Sequence, residues 1–154
     1  MQIAQLHGDG ARAALPSLPA SLAAIYVLHA QSDGMVVTPL PGTSSSEDNT
    51  RYATSRLPQW VLVDSLQGGS GQAFNWERLR ATAAEQLGGA SSHGWLLAGG
   101  LGPANVAAAI EAAQPTGVDV SSGVCSLDGL LKDAAKVDAY VSAAWGALRE
   151  QQRL

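Results

Sequence analysis

The sequence predicts an α/β domain built on a parallel sheet, and three observations predict it. Short apolar runs alternate with longer segments of helical periodicity, so the second half reads strand, helix, strand, helix, strand, helix. The strand runs are apolar almost throughout, as when both faces of a sheet are covered. Glycines and small polar residues gather where the strands end, which is where such sheets place their function.

The elements follow in order. Ile3–Leu6 is a short run closed by His7-Gly8-Asp9-Gly10, a strand and a turn. Residues 11–18 have helical character, checked by Pro16 and Pro19. Ala-Ile-Tyr-Val-Leu at 24–28 is β-rich and of strand length. Residues 31–58 carry Pro39, Pro41, Gly42 and the Thr43–Ser46 cluster without apolar periodicity, and are expected to form a flexible insertion or loop. Trp60–Val63 is a strand closed by Asp64. Residues 74–87 repeat apolar side chains at Trp76, Leu79, Ala83 and Leu87, with Gly88-Gly89 as the stop. Strands are expected at 95–98 and 118–120. Between them a helix opens at Pro103 and repeats Val106, Ala109, Ile110 and Ala113, and a final helix covers 134–148. Right-handed crossovers leave two arrangements open, a doubly wound sheet and a closed barrel.

Composition bounds the function. The 154 residues suit a single domain spanning 1–154. Lys and Arg total 9 against 13 Asp and Glu, a net charge of -4, which disfavours a nucleic-acid partner. No apolar run reaches the ~20 residues that cross a bilayer, so no membrane partner is expected, and residues 1–20 show no signal-peptide pattern. Cys125 is the one cysteine, so no internal disulfide is expected. His7, His29 and His93 lie far apart in sequence without ligand spacing, so no metal site is expected.

The strand ends carry the candidate chemistry. Glycine lets a backbone approach an anion closely with its N–H groups turned inward. Gly99-Gly100 before one helix, and Ser121-Ser122-Gly123 after the next strand, therefore suggest a two-loop phosphate clamp. Asp64 is either an ordinary turn or capping residue or a carboxyl available for proton transfer. Asp119, flanked by Val118 and Val120, either contacts a substrate hydroxyl or braces the loops.

The spelling of these segments is specific. The stretches Trp60-Val-Leu-Val-Asp64-Ser, Gly68-Gly-Ser-Gly71, Phe74-Asn-Trp76, Leu97-Ala-Gly-Gly-Leu101, Pro103-Ala-Asn105-Val and Gly117-Val-Asp-Val-Ser-Ser-Gly-Val124 resemble phosphoribosylanthranilate isomerase, the (β/α)8 barrel of tryptophan biosynthesis. The likeness is strongest to the plant and green-algal branch, through Ser121–Cys125, Asp128-Gly129, Lys132-Asp133 and Asn75–Arg78. It implies a partial TIM (β/α)8 barrel, strands four to eight with their helices, with Gln5-Leu6-His7-Gly8 on the fourth strand. It implies a cofactor-free Amadori rearrangement of N-(5-phosphoribosyl)anthranilate, with Asp64 as the general acid. Gly99, Gly100, Ser122 and Gly123 are implied to hold the phosphate, with Asp119 near the ribose hydroxyls and His7 among the substrate-binding residues. Location in the chloroplast is implied as well.

Two family features are missing. The general base is a cysteine in a Lys-x-Cys-Gly strand, and no such motif occurs here; nor does the arginine that binds the anthranilate. Cys125, after the last strand, reads as a packing residue. The resemblance therefore implies a chain without its base, unable to turn over substrate alone. The alternative is a half-barrel that binds a phosphorylated metabolite without catalysis and self-associates through its two open sheet edges.

Overall fold

A computed structural model of the chain describes residues 2–42, 56–65, 75–151 and 153. Five strands form one sheet: β1 (Ile3–Leu6), β2 (Ala23–Ala30), β3 (Trp60–Ser65), β4 (Trp95–Leu97) and β5 (Gly117–Val118). The helices are α1 (Asp9–Ala13), α2 (Trp76–Thr82), α3 (Val106–Ala113) and α4 (Ala134–Gln151). A π-helical turn (Ala83–Leu87) extends α2, and short 3-10 turns cover Leu15–Ser17 and Ser122–Val124.

Every strand pair is parallel and the strand order is β1-β2-β3-β4-β5. A doubly wound sheet reverses its order at a switch point. The sequential order here has no such reversal, which disfavours the doubly wound arrangement and is consistent with the winding of a barrel wall.

Alternation along the strands sorts the two faces. Ala24, Tyr26, Leu28 and Ala30 of β2, with Val61 and Val63 of β3, join the main core against the helices. Val27, Leu62 and Ala98 form a second, smaller cluster on the opposite face, with Ile25 and Leu96 packed against it. Helix α3 contributes the stripe Val106, Ala109, Ile110 and Ala113, and α2 with its extension contributes Leu79, Ala83 and Leu87. These are the positions that helical periodicity marks. Asn75 caps α2 by accepting the Arg78 N–H at 2.9 Å.

Three boundaries differ from expectation. Pro103 lies in a turn ahead of α3, which begins at Val106. Strand β5 stops at Val118, although the Asp119 N–H still donates to Leu97 O at 2.8 Å. The expected loop 31–58 begins as a packed return: Ala30 and Val36 form an antiparallel bridge, and Val37 N–H donates to His29 O. The Asp33 carboxylate turns the backbone by accepting from Met35 N–H, and Gly34, with φ near +85°, fits against the start of α2. These bonds need no apolar periodicity, which is why the pattern misses them. The remainder of that loop, 43–55, lies outside the described residues.

Candidate active site

Four polar side chains stand one position beyond helix-facing residues at the strand ends. Leu6, Leu28, Val63 and Val118 pack toward the helices, so His7, His29, Asp64 and Asp119 fall on the opposite face by alternation. His29 and Asp64 are direct register partners across β2 and β3.

Asp64 is half-buried, and its Oδ1 accepts the Ser65 N–H at 2.7 Å. Gly99 passes directly over this turn. Its φ is +83°, and a Cβ there would stand 2.7 Å from Ser65 N and 2.9 Å from Asp64 Oδ1. Both the conformation and the space require glycine. Gly100 is also left-handed, with φ +65°. Asn105 fixes the loop by accepting from Gly102 N–H at 2.8 Å and donating to Gly100 O at 3.0 Å.

The second loop locks onto the first. A Cβ on Gly123 would lie 1.9 Å from Leu101 O, so only glycine allows this contact. Lys132 Nζ donates to Ser121 O at 2.7 Å and contacts Cys125 Sγ at 3.3 Å, while Lys136 Nζ donates to Cys125 O at 2.6 Å. Cys125 is buried within this brace. Among the described residues, no hydrogen bond engages the backbone N–H of Gly99, Gly100, Ser122 or Gly123.

Asp64, Gly99, Gly100, Asp119, Ser121 and Ser122 line one cleft of about 90 Å³. That is small against the ~300–1,000 Å³ of pockets that enclose a whole ligand, and suits one end of one. Gly123 stands behind the lining, holding the two loops together. A larger cleft of about 490 Å³ lies at the other end of β4, around Gly88, Ser91 and Gln114, and carries none of these carboxylates.

Asp119 is exposed by area, yet enough protein surrounds its carboxyl to matter. Desolvation, then the nearby Asp64 charge, push its pKa above the usual carboxylate value, against the pull of Lys132. His29 is shifted down by burial first, then by His7 and Arg12, with Asp64 and Asp9 opposing. Its ring Nε2 lies 3.3 Å from His7 Nε2.

The structure thus gathers Asp64, Gly99, Gly100, Asp119 and Ser122 at one cleft and backs them with Gly123. It sets His7 two strands away from Asp64, on the same face. His29, Asn105 and Lys132 join the site without a motif that marks them, although alternation along β2 places His29 beside Asp64. The Gly68–Gly71 run lies outside the described residues. Among the described residues, no three His, Cys, Asp or Glu form a metal cluster, and no helix is long and apolar enough to cross a membrane.

Comparison with known proteins gives the family and agrees on the fold. The sequence model of the N-(5'-phosphoribosyl)anthranilate isomerase family matches residues 1–143. N-(5'-phosphoribosyl)anthranilate isomerase 1, chloroplastic, of Arabidopsis thaliana is 41% identical over 143 residues, covering 93% of this chain and 46% of its own length. The chain therefore spans about half the length of the plant relatives it matches. Crystalline TrpF from Jonesia denitrificans is 32% identical with a TM-score of 0.58, over 95% of this chain and 60% of that one. A phosphoribosyl anthranilate isomerase crystallised with reduced 1-(o-carboxyphenylamino)-1-deoxyribulose 5-phosphate shares the fold, at 24% identity and a TM-score of 0.50, over 81% of this chain and 50% of that one. The chain belongs to the N-(5'-phosphoribosyl)anthranilate isomerase family.

Proposed function

We propose that the five strands are the fourth to eighth of the family's barrel. In this reading they carry the acid and the phosphate clamp for isomerising N-(5-phosphoribosyl)anthranilate to 1-(2-carboxyphenylamino)-1-deoxyribulose 5-phosphate. The observation that carries the reading is the placing of the Asp64 carboxyl and the Gly99-Gly100 backbone in one cleft. Asp64 protonates the ribose ring oxygen, the C1–O bond breaks, and a Schiff base forms. Loss of the C2 proton then gives an enolamine that tautomerises to the ketone. Gly99, Gly100 and Ser122 present N–H groups to the 5-phosphate, Gly123 holds their two loops together from behind, and Asp119 meets the ribose hydroxyls. His7 contributes to substrate binding from the end of β1, two strands from Asp64 on the same face.

This sequence has no Lys-x-Cys-Gly base. The C2 proton therefore leaves to a residue outside these 154, on a segment that closes the barrel. By the same reading the chain alone associates through its open edges, and the whole protein works in the chloroplast, as the names of its plant relatives do.

The test is turnover of phosphoribosylanthranilate, followed by loss of substrate fluorescence. The purified chain alone is expected to be inactive. Mixed with the N-terminal half of the Arabidopsis relative, it is expected to turn over, and Asp64→Asn should cut that rate by ~10²-fold or more. Undiminished turnover in the Asp64→Asn mixture, or turnover by the chain alone, overturns the assignment of acid or missing base respectively.

A further inference from the structure

Lys132 lies 11 positions beyond Ser121 in sequence, yet its Nζ donates to the Ser121 carbonyl at 2.7 Å. We propose that Lys132 is a positioning residue of the phosphate clamp: by holding the Ser121 carbonyl it aims the Ser122 N–H into the cleft. The proposal rests on the reading of the two loops as that clamp.

Peptide geometry carries it. Across a planar trans peptide, the C=O and the N–H that follows it point in opposite directions. Drawing the Ser121 oxygen toward Lys132 therefore turns the Ser122 N–H away from Lys132. Ser121 and Ser122 both line the cleft that Gly99 and Gly100 line from the other loop. The torsions of Ser121, φ −123° and ψ −82°, are neither helical nor extended. No regular ladder fixes its carbonyl, and the lysine supplies the bond instead.

The other carbonyls of the turn are engaged as well. Ser122 O accepts from Cys125 N–H at 3.0 Å, Val124 O accepts from Asp133 N–H at 2.9 Å, and Cys125 O accepts from Lys136 Nζ at 2.6 Å. The Ser122 N–H has no hydrogen-bond partner among the described residues. An N–H left free beside a cleft is a donor ready for an anion.

A whole excursion of the chain delivers this amine. Residues 126–131 leave the turn and return, so that Cys125 and Lys132 form an antiparallel bridge. Ser126 N–H donates to Leu131 O at 2.8 Å, and the Asp128 carboxylate accepts from Ser126 Oγ at 2.5 Å and from Leu130 N–H at 3.0 Å. Leu127, Leu130 and Leu131 stay exposed, so hydrogen bonds rather than apolar packing set where the excursion ends. It ends on Lys132. The ammonium charge there also reaches the Asp119 carboxyl, where it opposes the upward push of burial and of Asp64.

The probe is inorganic phosphate, titrated into the ¹⁵N-labelled chain at pH 7.5 and followed through the backbone amides. In the unaltered chain the Gly99, Gly100 and Ser122 signals are expected to move together. Lys132 is exposed, so replacing it removes no buried packing. In Lys132→Met the Ser122 amide should shift before phosphate is added, and affinity should fall at least about fivefold. Lys132→Arg keeps a cationic donor and should stay within about twofold of the unaltered chain. Arg149→Met removes the same charge from α4 and should bind as the unaltered chain does. The loss in Lys132→Met should persist in about 1 M NaCl, where a Debye length of ~3 Å leaves little bare charge attraction. Unchanged affinity in Lys132→Met, an unmoved Ser122 amide, or a loss that vanishes at high salt overturns the proposal and leaves the clamp standing. Phosphate that moves none of the three amides in the unaltered chain overturns both.

Discussion

Gly99 and Gly123 are both irreplaceable, for different reasons. Gly99 is fixed by a left-handed φ and by the atoms of Asp64 and Ser65 beneath it; Gly123 is fixed by space, against the Leu101 carbonyl and Gly102 Cα. That crowding brings two carboxylates, Asp64 and Asp119, to one cleft. Asp119 binds its proton more tightly in the fold than in the unfolded chain. The stability this gives is fully present at pH values below the ordinary carboxylate pKa. It is lost as pH rises through the raised folded value. Asp119→Asn is therefore expected to raise the melting temperature at pH 7, with the gain vanishing near pH 3. Calorimetric scans at the two pH values check this, and equal melting at pH 7 sinks it.

Helix α4 shows the same logic in an element. Tyr140 is buried in the core, and its hydroxyl has no partner among the described residues. Desolvation, then Asp119, push its pKa far above the ordinary value. Tyr140→Phe removes an unpaired polar atom without opening a cavity, so it is expected to be neutral or to stabilise by up to about 1 kcal/mol. Urea denaturation measures it, and a loss of more than about 1 kcal/mol would mean that the hydroxyl is paired. The element scale is also where the sequence was most readable. Continuous apolar runs mark all five strands to within one or two residues, most plainly β2 and β3, which bury residues on both faces. The periodicity marks the α3 stripe residue for residue, yet Pro103 predicts a start three residues ahead of Val106. Asn105, by bonding Gly100 and Gly102, holds residues 103–105 in a turn, and no periodicity reports a side-chain brace. The pairing of His7 with His29 was invisible for a related reason. Parallel neighbours are joined through an intervening helix, so contact spacing in space has no fixed spacing in sequence.

At the scale of the molecule, the sheet has more surface than the described chain covers. Its outer face is packed by helices, while among the described residues its inner face buries Val27, Leu62 and Ala98, with Ile25 and Leu96 packed against them. A closed barrel fills that interior with layers of side chains drawn from alternate strands. Five parallel strands in sequential order leave β1 and β5 as edges. Beside the β1 edge Ile3 is 47% exposed, and on α4 Val141 and Trp145, one turn apart, are 45% and 59% exposed. An open parallel edge flanked by apolar side chains is a template for another strand. In the proposed whole barrel these surfaces would meet the segment that supplies the base; without it they are expected to meet one another. Sedimentation equilibrium at tens of micromolar should then give a mass above the 15.8 kDa of one chain. Trp145→Lys should shift the equilibrium toward the monomer, and adding the N-terminal half of a relative should replace the self-complex with a one-to-one complex. A chain that sediments as a monomer throughout, and ignores the added half, would mean that its open face is stable in water. The requirement for an outside segment would then lose its physical basis.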